Sequence, residues 1–422
     1  MKKIKTIRGF TLILSIGTVI SFLGRIPFRF IPLLVLAGND YSIFSLTLQT
    51  FGLTISIAGL TLHSPLTREI RMNNSSKEIE INYAISYWIT NFIGFFFFLI
   101  MGLFYLNVYS ILQLLFFSLS IMLRSFVEFF QANLRAHGNA VRSALITLVP
   151  AIIEGLIIIP FIFNIQIFLN LNFFIYLNCF SLISSFTIGA ILTNSSWKII
   201  FFSLQKLRNK EFLMNAIKNI KKGFLLSVRG LFYSLGNWLV IFLAINIMTP
   251  NSFKIFDLTL FSVSFIALFS SNLLISGLSV SNVEDKPLKK KPLLYLIIFG
   301  IIMALLLFLI MDFISLEILL YEFFKLNLST EGKNIIRVAI LLIISMVIVA
   351  FLGGKVHALG RYKEIAISSF LSFLGLLLFL IVGFYFYNGI ILVVGLLTFN
   401  LIEGILYYFY IYHPNYSIKF RF

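Results

Sequence analysis

The ten residues NDYSIFSLTL, Asn39 to Leu48, open a long apolar run, and 212 residues later NSFKIFDLTL, Asn251 to Leu260, opens another. Six of the ten positions are identical. A match at the start of two apolar runs indicates one structural unit used twice. A second echo, Leu134-Arg135-Ala136-His137-Gly138 against Val356-His357-Ala358-Leu359-Gly360, lies at an offset of 222. The echoes mark the start of the second and the end of the fourth apolar run in each half. Each half then holds six runs. If the runs cross a membrane, an even number of crossings leaves the second copy oriented like the first, a parallel repeat about an axis along the membrane normal.

The composition makes those runs membrane spans. Of 422 residues, 59% are hydrophobic and only 12% charged, with 50 Phe and 17 Tyr, and the mean hydropathy is +1.00. A soluble domain carries about a quarter charged residues, so disorder, fibrous folds and secreted disulfide scaffolds are excluded as well. The single cysteine, Cys179, cannot form an intramolecular disulfide and reads as a small apolar residue inside a span. At about 20 residues per helical crossing, the spans fall at 10–37, 41–62, 83–106, 109–132, 141–163, 172–193, 223–248, 253–282, 292–313, 333–352, 364–386 and 390–411. The sequence therefore predicts an all-α polytopic membrane protein of about 12 transmembrane helices in two six-helix parallel-repeat halves. The N-terminal bundle covers 1–205, a basic cytoplasmic linker 206–222 and the C-terminal bundle 223–422. The start resembles a signal peptide, but no small-residue cleavage site follows and Arg25, Arg29 and two prolines interrupt the run, so it is read as an uncleaved first span. Around the linker, Trp197, Ile200, Phe201, Leu204 and Leu207 recur at helical spacing against Lys198, Lys206 and Arg208, the pattern of an interfacial amphipathic helix.

Orientation follows the lysines and arginines of short loops. With the N-terminus inside, most of the 33 basic residues lie on the cytoplasmic side, chiefly in the head, between Leu66 and Asn82, from Lys198 to Lys222 and from Lys286 to Lys291, and both termini are cytoplasmic. Lys254, Lys325 and Lys333 fall outside. The net charge of +17 thus reads as topology and attraction to an anionic inner leaflet of membrane lipids rather than nucleic-acid binding.

Ionisable groups within spans are costly and mark candidate sites. Arg25 and Arg29 are four apart on the first span, with Pro27 and Pro32 able to kink the helix and open backbone around them. Two guanidinium forks facing a cavity suit a diphosphate, since each presents paired donors and keeps its charge; pairing with carboxylates of neighbouring helices is the structural alternative. Arg124 joins this pyrophosphate or anion set, although Glu128 four residues on permits an intrahelical ion pair. Glu154 stands alone near the middle of the fifth span between Pro150 and Pro160; desolvation there favours a neutral carboxyl, which makes it the candidate for proton or sodium coupling. Asp257 and Glu403 are the further coupling candidates. Arg229 and Arg337 read as snorkelling residues near span ends, and Phe95 to Phe98 with Tyr407, Tyr408 and Tyr410 as lipid-facing or interfacial aromatics. Direct ATP hydrolysis has no support, because Gly353-Gly354-Lys355 lacks the spacing and hydroxyl residue of a phosphate loop. His63, His137, His357 and His413 have no metal-ligand spacing, so no catalytic residue, metal or cofactor is expected.

The run Leu36-Ala37-Gly38-Asn39-Asp40-Tyr41-Ser42-Ile43-Phe44-Ser45-Leu46, followed by Gly59 and Arg68, resembles the opening of Wzx-type O-antigen and capsular polysaccharide exporters, polysaccharide biosynthesis proteins of the multidrug, oligosaccharidyl-lipid and polysaccharide exporter superfamily. The Arg135-Ala-His-Gly and Ala358-Leu-Gly-Arg361 turns and the basic central loop extend the resemblance over the chain; Ser42 stands where the family usually has glycine. The resemblance implies a flippase that moves undecaprenyl-pyrophosphate-linked oligosaccharide repeat units across the bacterial cytoplasmic (inner) membrane by alternating access, beside a polysaccharide polymerase and a chain-length regulator. Two rival readings remain. A multidrug exporter of the same superfamily would favour an acidic cavity, and an integral-membrane polysaccharide polymerase would carry a large outer loop, whereas the longest outer segment here is 312–332.

Overall fold

The computed structural model describes residues 7–72, 77–165, 169–193, 196–278, 298, 300–302, 304–306, 308–309, 321–322, 326, 328–358 and 361–412. Helix is the only regular structure among the described residues. In chain order the helices are α1 (Ile7–Gly24), α2 (Ile26–Val35), α3 (Gly38–Gly59), α4 (His63–Met72), α5 (Lys77–Tyr105), α6 (Ile111–Ala136), α7 (Ala140–Gly155), α8 (Ile158–Ile162), α9 (Leu171–Thr193), α10 (Ser196–Lys206), α11 (Lys210–Ile247), α12 (Pro250–Leu278), α13 (Thr330–Ala358), α14 (Tyr362–Tyr385) and α15 (Gly389–Tyr412). Among the described residues, ten stretches are long and apolar enough to cross a membrane, and they coincide with the expected spans one to seven and ten to twelve. Helix α12 covers the eighth; the ninth, 292–313, lies largely outside the described residues, as do His413, Lys286 to Lys291 and Lys325. The protein is a multi-pass membrane protein.

Helix boundaries repeat as the sequence echoes do. Helices α3 and α12 begin at Gly38 and Pro250, 212 apart, while α6 and α13 end at Ala136 and Ala358 and α7 and α14 begin at Ala140 and Tyr362, both 222 apart. The chain forms two compact units, Met1–Val35 with Thr47–Leu231, and Leu36–Leu46 with Phe232–Phe422.

In the first unit, small residues set the helix packing. A Cβ added at Gly17 or Gly24 would sit 2.9 Å from the Cβ of Ala144 or Ala151, so α1 and α7 run in close contact at positions seven apart on both helices. Close backbone approach of this kind drives helix association in lipid, where burial of apolar surface offers little. Prolines break two of the spans. Pro27 cannot donate to the Leu23 carbonyl, and the first span parts into α1 and α2 at Arg25. Pro160 cannot donate to Leu156, and the fifth parts at Leu156–Ile157. Exposed Phe104, Leu112 and Phe163 face outward as lipid-facing groups do, while Cys179 is buried. The Phe95 to Phe98 run divides by helical period, with Phe96 exposed and Phe98 buried.

The segment from Trp197 is not one continuous amphipathic helix. Helix α10 ends at Lys206, and α11 starts at Lys210 and runs 38 residues without a break. The expected stripe also splits: Ile200 is 1% exposed and its carbonyl accepts from Trp88 Nε1 at 2.9 Å, whereas Trp197 and Phe201 are 39% and 52% exposed. One edge of α10 is captured by the aromatic cluster of Tyr87, Trp88, Phe126 and Phe129, leaving the other edge free.

In the second unit the two echoing segments pack on each other. Gly38 leaves no room for a Cβ against Pro250, Lys254 Nζ donates to the Leu36 carbonyl at 2.8 Å, and the Tyr41 and Phe253 rings lie 6.1 Å apart. Helix α13 packs on α12; α14 and α15 pack on α13 and on each other, and Phe232 on α11 lies 5.0 Å from Phe373 on α14.

Candidate functional site

The break at Arg25 aims a guanidinium into the first unit. Because Gly24 lets α1 touch α7 at Ala151, the next residue falls beside Glu154, and Arg25 Nε lies 3.2 Å from Glu154 Oε2. The N–H direction is outside hydrogen-bond geometry, so this is an ion pair by proximity. Glu154 Oε1 accepts from Ser181 Oγ at 2.8 Å and from Asn178 Nδ2 at 3.1 Å, both on α9. Glu154 therefore does not stand alone, contrary to the sequence expectation: contacts from helices distant in sequence satisfy it. The two partners differ in access. The Arg25 side chain is 39% exposed and that of Glu154 3%.

Arg124 and Glu128 do not close the ion pair that their spacing permits, since Glu128 turns to α4. Its Oε2 lies 3.4 Å from His63 Nδ1, and a Cβ at Gly59 would sit 2.7 Å from that oxygen, so glycine there makes the space. The turn between α3 and α4, with Leu60 and Thr61 at φ 38° and 49°, brings His63 round to it. Arg124 Nη1 is enclosed without a hydrogen-bond partner, and the group interacts electrostatically with Glu128, Arg25 and Glu154. Tyr87, fully buried, feels Glu128, Arg124 and Arg135, and Arg135 Nε donates to Ser143 Oγ at 3.1 Å.

Arg29 lies one turn into α2 and is half-buried. Arg25 lies at the break between the two helices and Arg29 beyond it. In the second unit, Asp257 on α12 is 6% exposed and accepts from Tyr41 OH at 2.7 Å. Glu403 on α15 is fully buried, and its Oε1 accepts from Ser369 Oγ on α14 and Tyr407 OH, each at 2.8 Å. Tyr407 is thus a core hydrogen-bond donor rather than an interfacial aromatic, because Glu403 one turn earlier on the same face needs one.

The structure brings together Arg25, Arg124 and Glu154 within the first unit and leaves Asp257 and Glu403 in separate places in the second. His63, Tyr87, Asn178 and Ser181 are site residues that sequence reasoning missed. Polar residues of these types are common in spans, and no spacing signal in the sequence sets them apart. Among the described residues no group of histidine, cysteine or acidic side chains could hold a metal ion. What the arrangement offers chemically is a partly accessible guanidinium whose counter-charge is buried and hydrogen-bonded through one of its two oxygens.

No protein-family model matches the chain, and no curated protein matches its sequence. Solved structures do match over nearly the whole chain. The eukaryotic MATE transporter AtDTX14 superposes with a TM-score of 0.61 at 11% identity, covering 94% of each chain. A MOP-superfamily transporter from Pyrococcus furiosus, described as having a binding pocket of reversed polarity that suggests a different function, gives 0.58 at 14% identity over 97% of each. An outward-facing multidrug resistance MATE family transporter of the MOP superfamily gives 0.58 at 17% identity, over 96% of this chain and 94% of the other. The chain has the MATE-type transporter fold.

Proposed function

We propose that the protein is a membrane transporter working by alternating access, and that its cargo is a lipid-linked oligosaccharide carried on a pyrophosphate. The fold supports transport, since the superposed proteins are described as transporters. The observation that carries the cargo is the asymmetry of the Arg25–Glu154 pair. A ligand reaching it meets the guanidinium, 39% exposed, while the carboxylate is 3% exposed and holds two hydrogen bonds. Arg124, with its unpartnered Nη1, adds a second positive group. A permanent charge in a low-dielectric site offsets part of the cost of taking a pyrophosphate out of water. Neutralising Glu154 would release Arg25 for the ligand, which is how proton coupling would act. With the N-terminus cytoplasmic, the movement would run outward from the inner leaflet of a bacterial cytoplasmic membrane.

The test is transport of radiolabelled undecaprenyl-pyrophosphate-linked sugar in vesicles, set against efflux of a cationic dye. Arg25→Ala should abolish sugar-lipid transport, and Arg25→Lys should keep part of it, because lysine retains the charge and loses the fork. The second reading, export of cationic drugs, is favoured by the description of one superposed protein as a multidrug resistance transporter. Dye efflux that survives Arg25→Ala, with no transport of the sugar lipid by the parent protein, would establish that reading and end the first.

A further inference from the structure

Away from the Arg25 cluster, the first unit holds a cavity of about 790 Å³ between α5, α6, α7, α9 and α10. Lys77, Arg142 and Lys198 line it, with His137 beside them. Its one carboxylate, Glu80, is 7% exposed; its Oε2 accepts from Asn133 Nδ2 at 2.8 Å, and it offsets part of the charge of Lys77 and His137, which leaves Arg142 and Lys198 as the cations without an acidic partner in the lining. The cations are held at the rim. Arg142 Nη1 donates to the Leu192 carbonyl, the last turn of α9, at 3.3 Å, which leaves the rest of its fork to a ligand. Lys198 Nζ sits 5.7 Å from the Trp197 ring centre.

The backbone reinforces the side chains. Helices α5, α7 and α10 each begin at this cavity, at Lys77, Asn139–Ala140 and Ser196, and the α7 cap residue Asn139 makes no side-chain capping bond. Unsatisfied N–H groups at helix starts carry partial positive charge toward an anion. Beside the polar rim lies an apolar wall, since Trp197, Phe201 and Phe202 on α10 are 39%, 52% and 45% exposed. A cationic cup next to exposed aromatics at a span end matches a molecule with an anionic head and apolar tails. With the N-terminus cytoplasmic, as the charge pattern of the sequence suggests, Lys77, Arg142 and Lys198, each in the first turn of its helix, would lie on the cytoplasmic side.

We propose that this cavity binds the phosphate headgroup of an anionic phospholipid of the inner leaflet, with its acyl chains along the aromatic edge of α10. The site is separate from the one offered for cargo and does not depend on the nature of that cargo. The shared chemistry is a phosphate oxyanion, so a soluble phosphate is the rival source.

The full chain, delipidated in neutral detergent, is titrated with phosphatidylglycerol or phosphatidylcholine and bound lipids are counted by native mass spectrometry. Thermal unfolding is followed in nanodiscs of each lipid. One phosphatidylglycerol should be retained in preference to phosphatidylcholine and raise the unfolding temperature, and each cation removed should weaken retention roughly fivefold. Lys198→Ala, at an exposed position, tests this without threatening the fold; Arg142→Gln is the second variant, and Lys210→Ala on the exposed start of α11 is the control that should change nothing. Equal retention of the two lipids by the parent chain, or unchanged preference in both variants, would overturn the proposal. Displacement of the lipid by millimolar inorganic phosphate would reassign the cavity to a soluble phosphate and overturn the lipid assignment.

Discussion

Removing either partner of the Arg25–Glu154 pair should have unequal consequences, and the inequality can be worked from their surroundings. In Arg25→Ala the carboxylate, 3% exposed in the parent, loses its counter-charge. Breaking a buried pair costs about 3–5 kcal/mol, and because Ser181 and Asn178 still donate to Glu154, the expected loss is at the lower end, about 3 kcal/mol. In Glu154→Gln the guanidinium, 39% exposed, turns to solvent, and the amide oxygen still accepts from Ser181. The cost there should be about 1 kcal/mol, that of one weakened hydrogen bond. Removing both charges eliminates the stranded carboxylate, so the double variant should be more stable than Arg25→Ala alone, with a coupling of about 2 kcal/mol. The assay is thermal unfolding of the purified chain in one detergent, comparing parent, single and double variants. A Glu154→Gln variant at least as damaged as Arg25→Ala, or strictly additive losses, would refute the reading of an inward carboxylate with an accessible cation.

In transport, Glu154→Gln should flatten the dependence of flux on a pH gradient while protein levels stay normal; an unchanged dependence would leave Glu154 a packing residue. Gly24→Val would drive a side chain into Ala151, 2.9 Å from its Cβ, and should destabilise the first unit by about 1–3 kcal/mol, read as a lower unfolding temperature and weaker insertion. Tyr41→Phe removes the donor to Asp257 at 2.7 Å and leaves a buried carboxylate short of a partner, a loss of about 1–3 kcal/mol; adding Asp257→Asn should restore much of it, and failure to do so would mean that the hydroxyl matters for another reason.

The architecture was legible because lipid imposes one rule on every span: backbone groups must bond within the segment, so hydrophobic length counts helices directly. The echoes at 39–48 and 251–260 then gave the repeat, and helix starts at Gly38 and Pro250 follow the same offset. Arg25 and Glu154 could be picked out singly, since a charge in an apolar run is conspicuous. Their pairing could not, because it depends on Gly24 packing on Ala151 and on Pro27 ending α1, two effects of tertiary contact that hydropathy does not encode. The failed Arg124–Glu128 pair shows the same limit. Spacing of four permits contact on a helix, but space at Gly59 and the turn delivering His63 offered Glu128 another partner.

The two halves also diverge in how they treat a carboxylate between their last two spans. In the first unit Glu154 sits on α7 and takes a hydroxyl donor from α9; in the second, Glu403 sits on α15 and takes one from α14. Aligning helix starts puts Leu376 at the position of Glu154, and Ser185 at that of Glu403, whose helix begins 218 residues after α9. The acid has thus changed helices while the interface keeps a carboxylate bonded to serine, as expected if its structural task is to tie neighbouring spans in lipid. The arginine has no such counterpart. The position 212 residues after Arg25 is Asn237, in the middle of α11, a helix without proline that runs unbroken from Lys210 to Ile247. Where no proline opens the backbone, no residue is turned inward at a break, and in the second unit Glu403 and Asp257 accept from hydroxyl groups. The break at Arg25 is therefore the feature that sets a guanidinium against the shared carboxylate in the first unit.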